Sequence, residues 1–218
     1  MKNYFSDRMK KTRKNIVKYI LELLIVAFGV FLGIYVGERN HQKKTDLNTR
    51  NAIVQIISEL DSNVKRLGSA IRYHEQIGVE LDSVRKSLKQ SDFNSIYFNN
   101  KKFNHNNLPS WTGVGVVRLS KSIYESAKIG GVFQELNIST INLISSIYEY
   151  QEIYDEFSMA TVDKMLEMDS ETKTSDVIQL LSRLSKHDII KIEKGLLNQI
   201  NKNIVELERK IENKSFKK

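Results

Sequence analysis

Four histidines, one pair of closely spaced glutamates and a glutamate inside an apolar run are the residues of this chain with chemistry to offer. His41, His74, His105 and His187 are scattered, and no two lie at the three- or four-residue spacing that sets metal ligands on one helix face. Cysteine is absent, which removes disulfides, thiol catalysis and cysteine metal sites together. The chain has no HExxH helix, phosphate-binding loop, nucleophile elbow or dinucleotide fingerprint. Glu152 and Glu156, in YEYQEIYDEF, have the residue types of a glycosidase pair. Carboxylates four apart on a helix normally face water, so they are read as solvated. These residues predict no catalytic group, no metal site, no cofactor and no enzyme.

Glu22 is different because of where it stands. It is the only charge in YILELLIVAFGVFLGIYV, residues 19–36. Ionisable groups inside a membrane span are costly and turn toward protein or water. Glu22 could therefore meet a partner, while Lys18, four residues earlier, offers a local ion pair. Gly29, Gly33 and Gly37 are spaced by four, so two overlapping G-x-x-x-G patterns share a helix face. Glycines in that arrangement let helix backbones approach closely in lipid. Glu22 and these glycines form the candidate membrane-helix association face.

The elements that must position these residues follow from length and charge. A helix rises about 1.5 Å per residue, so roughly 20 residues cross the hydrocarbon core. Residues 16–37 supply that span. Seven basic residues precede it: Lys2, Arg8, Lys10, Lys11, Arg13, Lys14 and Lys18. Four follow within a comparable distance: Arg39, Lys43, Lys44 and Arg50. The positive-inside rule then predicts a cytoplasmic amino terminus and a carboxy-terminal domain in the periplasm, on a single-pass anchor of the inner membrane. Lys10, Lys11, Arg13, Lys14 and Lys18 are the expected contacts for lipid headgroups. A cleaved signal peptide would need small residues after the apolar run, and Tyr35 and Val36 interrupt any such pattern. The net charge of +8 is mostly local: beyond Glu22, 27 basic residues stand against 24 acidic ones. A nucleic-acid partner is not expected.

The exported part reads as all-α, an antiparallel helical bundle behind the single transmembrane helix. Residues 1–15 form the basic cytoplasmic segment and 16–37 the span. Residues 38–90 are a long helix, 91–110 a loop or short hairpin, 111–213 the rest of the bundle and 214–218 a fraying tail. Ile53, Ile57, Leu60, Val64, Leu67, Ile71, His74, Gly78 and Leu81 alternate in steps of four and three. That seam suits either a parallel coiled-coil stalk or one helix of the bundle, and its fading toward Gly78 and Arg85 favours the bundle. A helix is predicted from about Val116 to a stop at Gly130-Gly131. Another runs from a cap at Asn137 or Ser139 to about Met168. A linker over 167–174, a helix over 176–185 and a strongly periodic last helix from Ile189 to Ile211 complete the chain.

Three pieces carry a family resemblance: ILELLIVAFGVFLGIYVGERN, the I-x-x-E-L-x-x-N pattern from Ile56 to Asn63, and SIYESAKIGGVF ahead of a tyrosine-rich helix. Together they resemble an uncharacterised family of small single-pass membrane proteins, mostly from Bacteroidota, with an L-E-x-x-I-V-x-x-G-V anchor. The chain departs from that family where Glu38-Arg39-Asn40 replaces a tryptophan motif, and where Ala127 to Gly131 replaces a Ser-Gly element. The resemblance implies a membrane-anchored helical domain and no catalytic residue. The expected function is a membrane-anchored interaction or sensory module. The alternative is an accessory subunit of a transport, secretion or defence complex that uses the span as its contact. Membrane lipid and either a second copy or a partner membrane protein are the expected partners.

Overall fold

A computed structural model describes the backbone of residues 2–217 and the side chains of residues 18–217. About 80% of the chain is helical, with no strand among the described residues, so the fold class is all-α. The first helix, α1 (Lys2–Ser87), is uninterrupted across 86 residues. The chain divides into two units, residues 1–49 and 50–218.

All described residues of the first unit belong to α1. An 18-residue window of that helix has a mean hydropathy of 2.4 with none of it buried, long and apolar enough to cross a membrane. From Tyr19 to Val36 every large apolar side chain is exposed.

The second unit begins with α1 at residue 50. It continues through α2 (Gln90–Phe93), α3 (Ser122–Ile129), α4 (Val132–Glu135), α5 (Ile138–Leu166), α6 (Thr174–Ser182) and α7 (Ile189–Glu212). A π-helical turn, Arg183–His187, joins α6 to α7. The apolar seam of α1 is buried within this unit: Ile53, Leu60, Leu67 and Leu81 are inaccessible, and so is His74. Ile144 and Ile147 of α5 and Leu196, Ile200 and Leu207 of α7 are in the same core cluster. The surface that a coiled-coil stalk would present to a second copy is thus covered by the chain itself.

Helix directions follow from cross-helix pairs. Asn203 donates to the Leu143 carbonyl (3.0 Å) and the Tyr154 hydroxyl donates to Glu193 (3.2 Å), so α7 runs antiparallel to α5. Lys194 pairs with Glu75 at 2.6 Å and Lys186 with Asp82, so α7 also runs back along α1. At the start of α5, Asn137 accepts from the Thr140 amide at 2.9 Å, the cap its residue type predicts.

Two expectations are corrected and a third is narrowed. Residues 112–121 are non-helical, with bends at 112–113, and α3 starts at Ser122, not near Val116. Val114, Val116 and Val117 are β-branched, and Gly113 and Gly115 take positive φ, which a helix does not allow. The tail does not fray as expected: Phe216 is buried, Leu136 bridges Lys217, and the Asn137 amide donates to the Ser215 carbonyl at 2.8 Å. Of the loop or hairpin expected over residues 91–110, the loop is found and the hairpin is not. They contain α2 and two single 3-10 turns, with one isolated bridge from Ile96 to Lys173.

Candidate functional site

Two places in the chain concentrate polar function against apolar surroundings. One is the apolar stretch of α1. Glu22 is 3.8 Å from Lys18, with both side chains more than half exposed. A Cβ built on Gly29, Gly33 or Gly37 meets nothing within 4 Å, so that face is open. The structure leaves these residues free of intramolecular cover. Apart from the Lys18–Glu22 pair, it brings them together with no other predicted residue whose side chain is described. The side chains of Lys10, Lys11, Arg13 and Lys14 lie outside the described residues.

The other place was not anticipated. Residues 110–124 form a strap that runs antiparallel to α1 and is held mainly by side chains. Glu80 accepts from the Ser110 amide (3.1 Å) and hydroxyl (2.6 Å). The Tyr73 hydroxyl donates to the Gly113 carbonyl at 2.5 Å and accepts from the Thr112 amide at 3.1 Å. Arg66 donates to the Arg118 carbonyl at 3.0 Å. Asn63 clasps Ser120 through both its amide (2.9 Å) and its carbonyl (2.8 Å). An extended segment outside any sheet must satisfy its backbone groups elsewhere. Here the residues of α1 replace the missing neighbouring strand.

Two buried carboxylates anchor the strap. Glu59 is 6% exposed and accepts four bonds: from the Ser120 hydroxyl (2.7 Å), the Tyr148 hydroxyl (2.8 Å), and the amides of Ile123 (2.9 Å) and Tyr124 (3.3 Å). The last two are at the first turn of α3, whose free amides favour a carboxylate there. Glu59 and Asn63 come from the I-x-x-E-L-x-x-N segment and Ile123 and Tyr124 from SIYESAKIGGVF, so the two segments meet. Burial and the nearby Glu59 charge push the Tyr148 hydroxyl up, which keeps it protonated as a donor. Its ring stacks on Tyr124, 4.0 Å between centroids.

Glu193 and His74 form the second anchor, and both are inaccessible to solvent. His74 Nε2 lies 3.0 Å from the Val114 carbonyl, which can only accept, so Nε2 carries a hydrogen. Nδ1 faces Glu193 Oε2 at 2.8 Å, so one proton must occupy that contact. Glu193 Oε1 accepts from the Tyr154 hydroxyl, which accepts in turn from the Val117 amide at 3.0 Å. Burial first, and then the Glu193 charge, push the Tyr154 hydroxyl up. One network thus joins α1, the strap, α5 and α7. Every oxygen and nitrogen of its two ionisable groups is used, so its chemistry is cohesion.

The remaining histidines divide plainly. His41 and His187 are exposed. His105 is buried against the Tyr97 hydroxyl and the edge of Trp111, and burial holds its imidazole below the usual range. Glu152 pairs with Lys121 at 3.4 Å on the surface, and Glu156 is exposed. Among the described residues no three histidines, aspartates or glutamates converge as metal ligands.

No protein-family model matches this chain, and neither a curated protein nor a solved structure matches it.

Proposed function

We propose that this protein is a membrane-anchored, non-enzymatic interaction or sensory module. A single span within residues 16–37 holds an antiparallel helical bundle on the periplasmic side of the inner membrane, with the amino terminus in the cytoplasm. The observation that carries the anchor is the exposure of Tyr19–Val36. Fourteen large apolar side chains there have no intramolecular cover. Burying a Leu- or Phe-sized side chain is worth about 1.5–3 kcal/mol. Even at half exposure the stretch would forfeit roughly 10–20 kcal/mol in water, comparable with the whole stability of a domain at about 5–15 kcal/mol. Lipid removes that penalty. The structural use made of Glu59, His74 and Glu193 supports a binding role over a catalytic one.

The test is fractionation and topology together. The full chain should stay in the membrane pellet through alkaline carbonate, and deletion of residues 16–37 should release it. A phosphatase reporter fused after Lys218 should be active. A reporter that works only in the cytoplasm overturns the topology, and a carbonate-soluble full chain overturns the anchor.

The open glycine face favours a second reading, an accessory subunit that meets other membrane helices through Gly29, Gly33, Gly37 and Glu22. Replacing Gly29 and Gly33 by Ile adds bulk where backbones would meet, at a cost on the order of 1 kcal/mol in association. Crosslinking in bilayers at equal expression measures it. Unchanged crosslinking refutes the glycine contact, and loss on Glu22→Gln alone moves the contact to the carboxylate.

A further inference from the structure

The second unit has two ends, and their charges differ in sign. Residues 88–110 and 163–176 meet at one end. The Tyr97 amide donates there to the Thr172 carbonyl at 2.8 Å, and the Thr174 amide to the Ser95 carbonyl at 3.0 Å. These two segments hold six acidic residues and five basic ones. Residues 128–139 and 209–217 meet at the other end. Asn137 donates there to the carbonyls of Ser215 (2.8 Å) and Lys217 (3.1 Å), and Lys210 donates to the Ser139 hydroxyl at 2.9 Å. Arg209 of this end is paired with Glu206 at 2.6 Å. That leaves Lys128, Lys210, Lys214 and Lys217 against Glu135 and Glu212.

The basic end is the one at which the chain enters the unit. Because α7 is antiparallel to both α1 and α5, the start of α5 and the end of α7 stand toward residue 50. The strap descends α1 from Glu80 to Glu59, so α3 begins beside Glu59 and runs on toward the same end. Only thirteen residues, from Gly37 to Arg50, separate this end from the apolar stretch. They rise about 20 Å as helix. The acidic end stands a further length of α7 away, about 36 Å for its 24 residues.

Large apolar side chains are also uncovered at the basic end, Ile129 at 87% and Ile138 at 74%. The acidic end exposes Leu166 and Phe98, so it is charge that tells the two apart. The turn after α7 adds to the basic side. Lys214 takes φ +53° where a helix usually ends in glycine, and Phe216 beyond it is buried while Lys214 stays exposed.

We infer that the basic end of the second unit seats on the headgroups of anionic lipid, with Ile129 and Ile138 entering the interfacial layer. Lysines near such a surface are attracted to its phosphates, and the attraction fades within a Debye length. The inference rests on the anchor reading and adds a second contact with the bilayer, made by the folded unit itself.

The chain has no cysteine, so a single introduced one can carry a fluorophore. Gln134→Cys puts it at the basic end and Asn99→Cys at the acidic end, both at exposed positions. The full chain is placed in nanodiscs of phosphatidylcholine, with or without phosphatidylglycerol, that contain a headgroup-borne quencher. The label at 134 should be quenched at least twice as strongly in the anionic discs. That difference should vanish when salt cuts the Debye length from about 10 Å at 0.1 M to about 3 Å at 1 M. The label at 99 should respond to neither change. Lys214→Gly should keep or raise the melting temperature, since glycine accepts the positive φ, and still reduce the quenching difference. Adding Lys128→Glu should reduce it further. Equal quenching at 134 in the two lipids overturns the inference. So does equal quenching at 134 and 99 in the anionic discs, or a double variant quenched like the parent. A full chain extracted by carbonate overturns the anchor and this contact with it, whereas a carbonate-resistant chain with no quenching difference overturns the contact alone.

Discussion

Removing the Glu59 carboxylate should loosen the strap and α3 together. Four donors converge on it, and in Glu59→Ala the Ser120 hydroxyl can swing to another partner while three others cannot. The Ile123 and Tyr124 amides are fixed by α3, and the Tyr148 hydroxyl is fixed by its stack on Tyr124. Each buried donor left without a partner costs about 1–3 kcal/mol. The Tyr124 bond is long, so the total works out at about 3–5 kcal/mol, a large share of a domain's usual 5–15 kcal/mol. Glu59→Gln keeps one acceptor oxygen but turns an amide donor toward a donor, and should cost about 1–2 kcal/mol. Glu152→Gln, which breaks only the surface pair with Lys121, should stay within about 0.5 kcal/mol of the parent. The assay is denaturant unfolding of the full chain in detergent, followed by Trp111. That residue is the only tryptophan and packs on His105 at the start of the strap. Hydrogen exchange at the Ile123 and Tyr124 amides provides a local readout. If Glu59→Ala unfolds within about 0.5 kcal/mol of Glu152→Gln, the carboxylate is not what holds the strap, and the reasoning fails.

Further expectations follow from the same geometry. His74→Leu and Glu193→Leu should each destabilise by about 3–5 kcal/mol, because each strands a buried partner. The double variant should cost less than their sum, and additive values in a double-mutant cycle would show that the two groups are not energetically coupled. Gly115→Ala should lower the melting temperature and expose Trp111. Its φ is +81°, and a Cβ there falls 2.2 Å from the Tyr73 ring, so unchanged melting contradicts the close approach. Acid should act through His105, whose pKa burial holds below the ordinary 6.5. The unfolded chain then binds the extra proton, so this contribution is complete above pH 6.5 and is lost as pH falls from there toward the folded value. The slope is at most about 1.4 kcal/mol per pH unit, and His105→Asn should flatten that part of the stability profile.

The helices were legible because their signal is local. The period of α7 and the alternating steps of α1 are fixed by residues within a turn or two, and so are the Asn137 cap and the Gly130-Gly131 stop. The strap was not legible for the opposite reason. Val116 and Val117 look like the start of a helix until Asn63 and His74 bond the flanking backbone at Ser120 and Val114, 57 and 40 residues away along the chain. The docking of Phe216 and the tail is equally remote, since it is set by Asn137, 78 residues from Ser215.

The buried polar network did leave a trace, in where its members stand. His74 occupies a seam position between Ile71 and Leu81, where it looked like a flaw in the pattern. Glu59 stands between Ile56 and Leu60, and Glu193 between Ile189 and Leu196, on the apolar stripes of their helices. Away from the stripe, a carboxylate such as Glu152 or Glu156 meets water and implies nothing. On the stripe it must leave water with its helix, at a cost of several kcal/mol unless partners replace the solvent. Such a residue therefore implies partners that its own helix does not provide. Tyr148 and Tyr154 answer that need from α5, and the strap amides answer it from the segment between. Two carboxylates and a histidine misplaced on apolar faces are thus the sequence-level sign that some further stretch of backbone has to lie against α1. Only the fold reveals that it is the glycine- and valine-rich one.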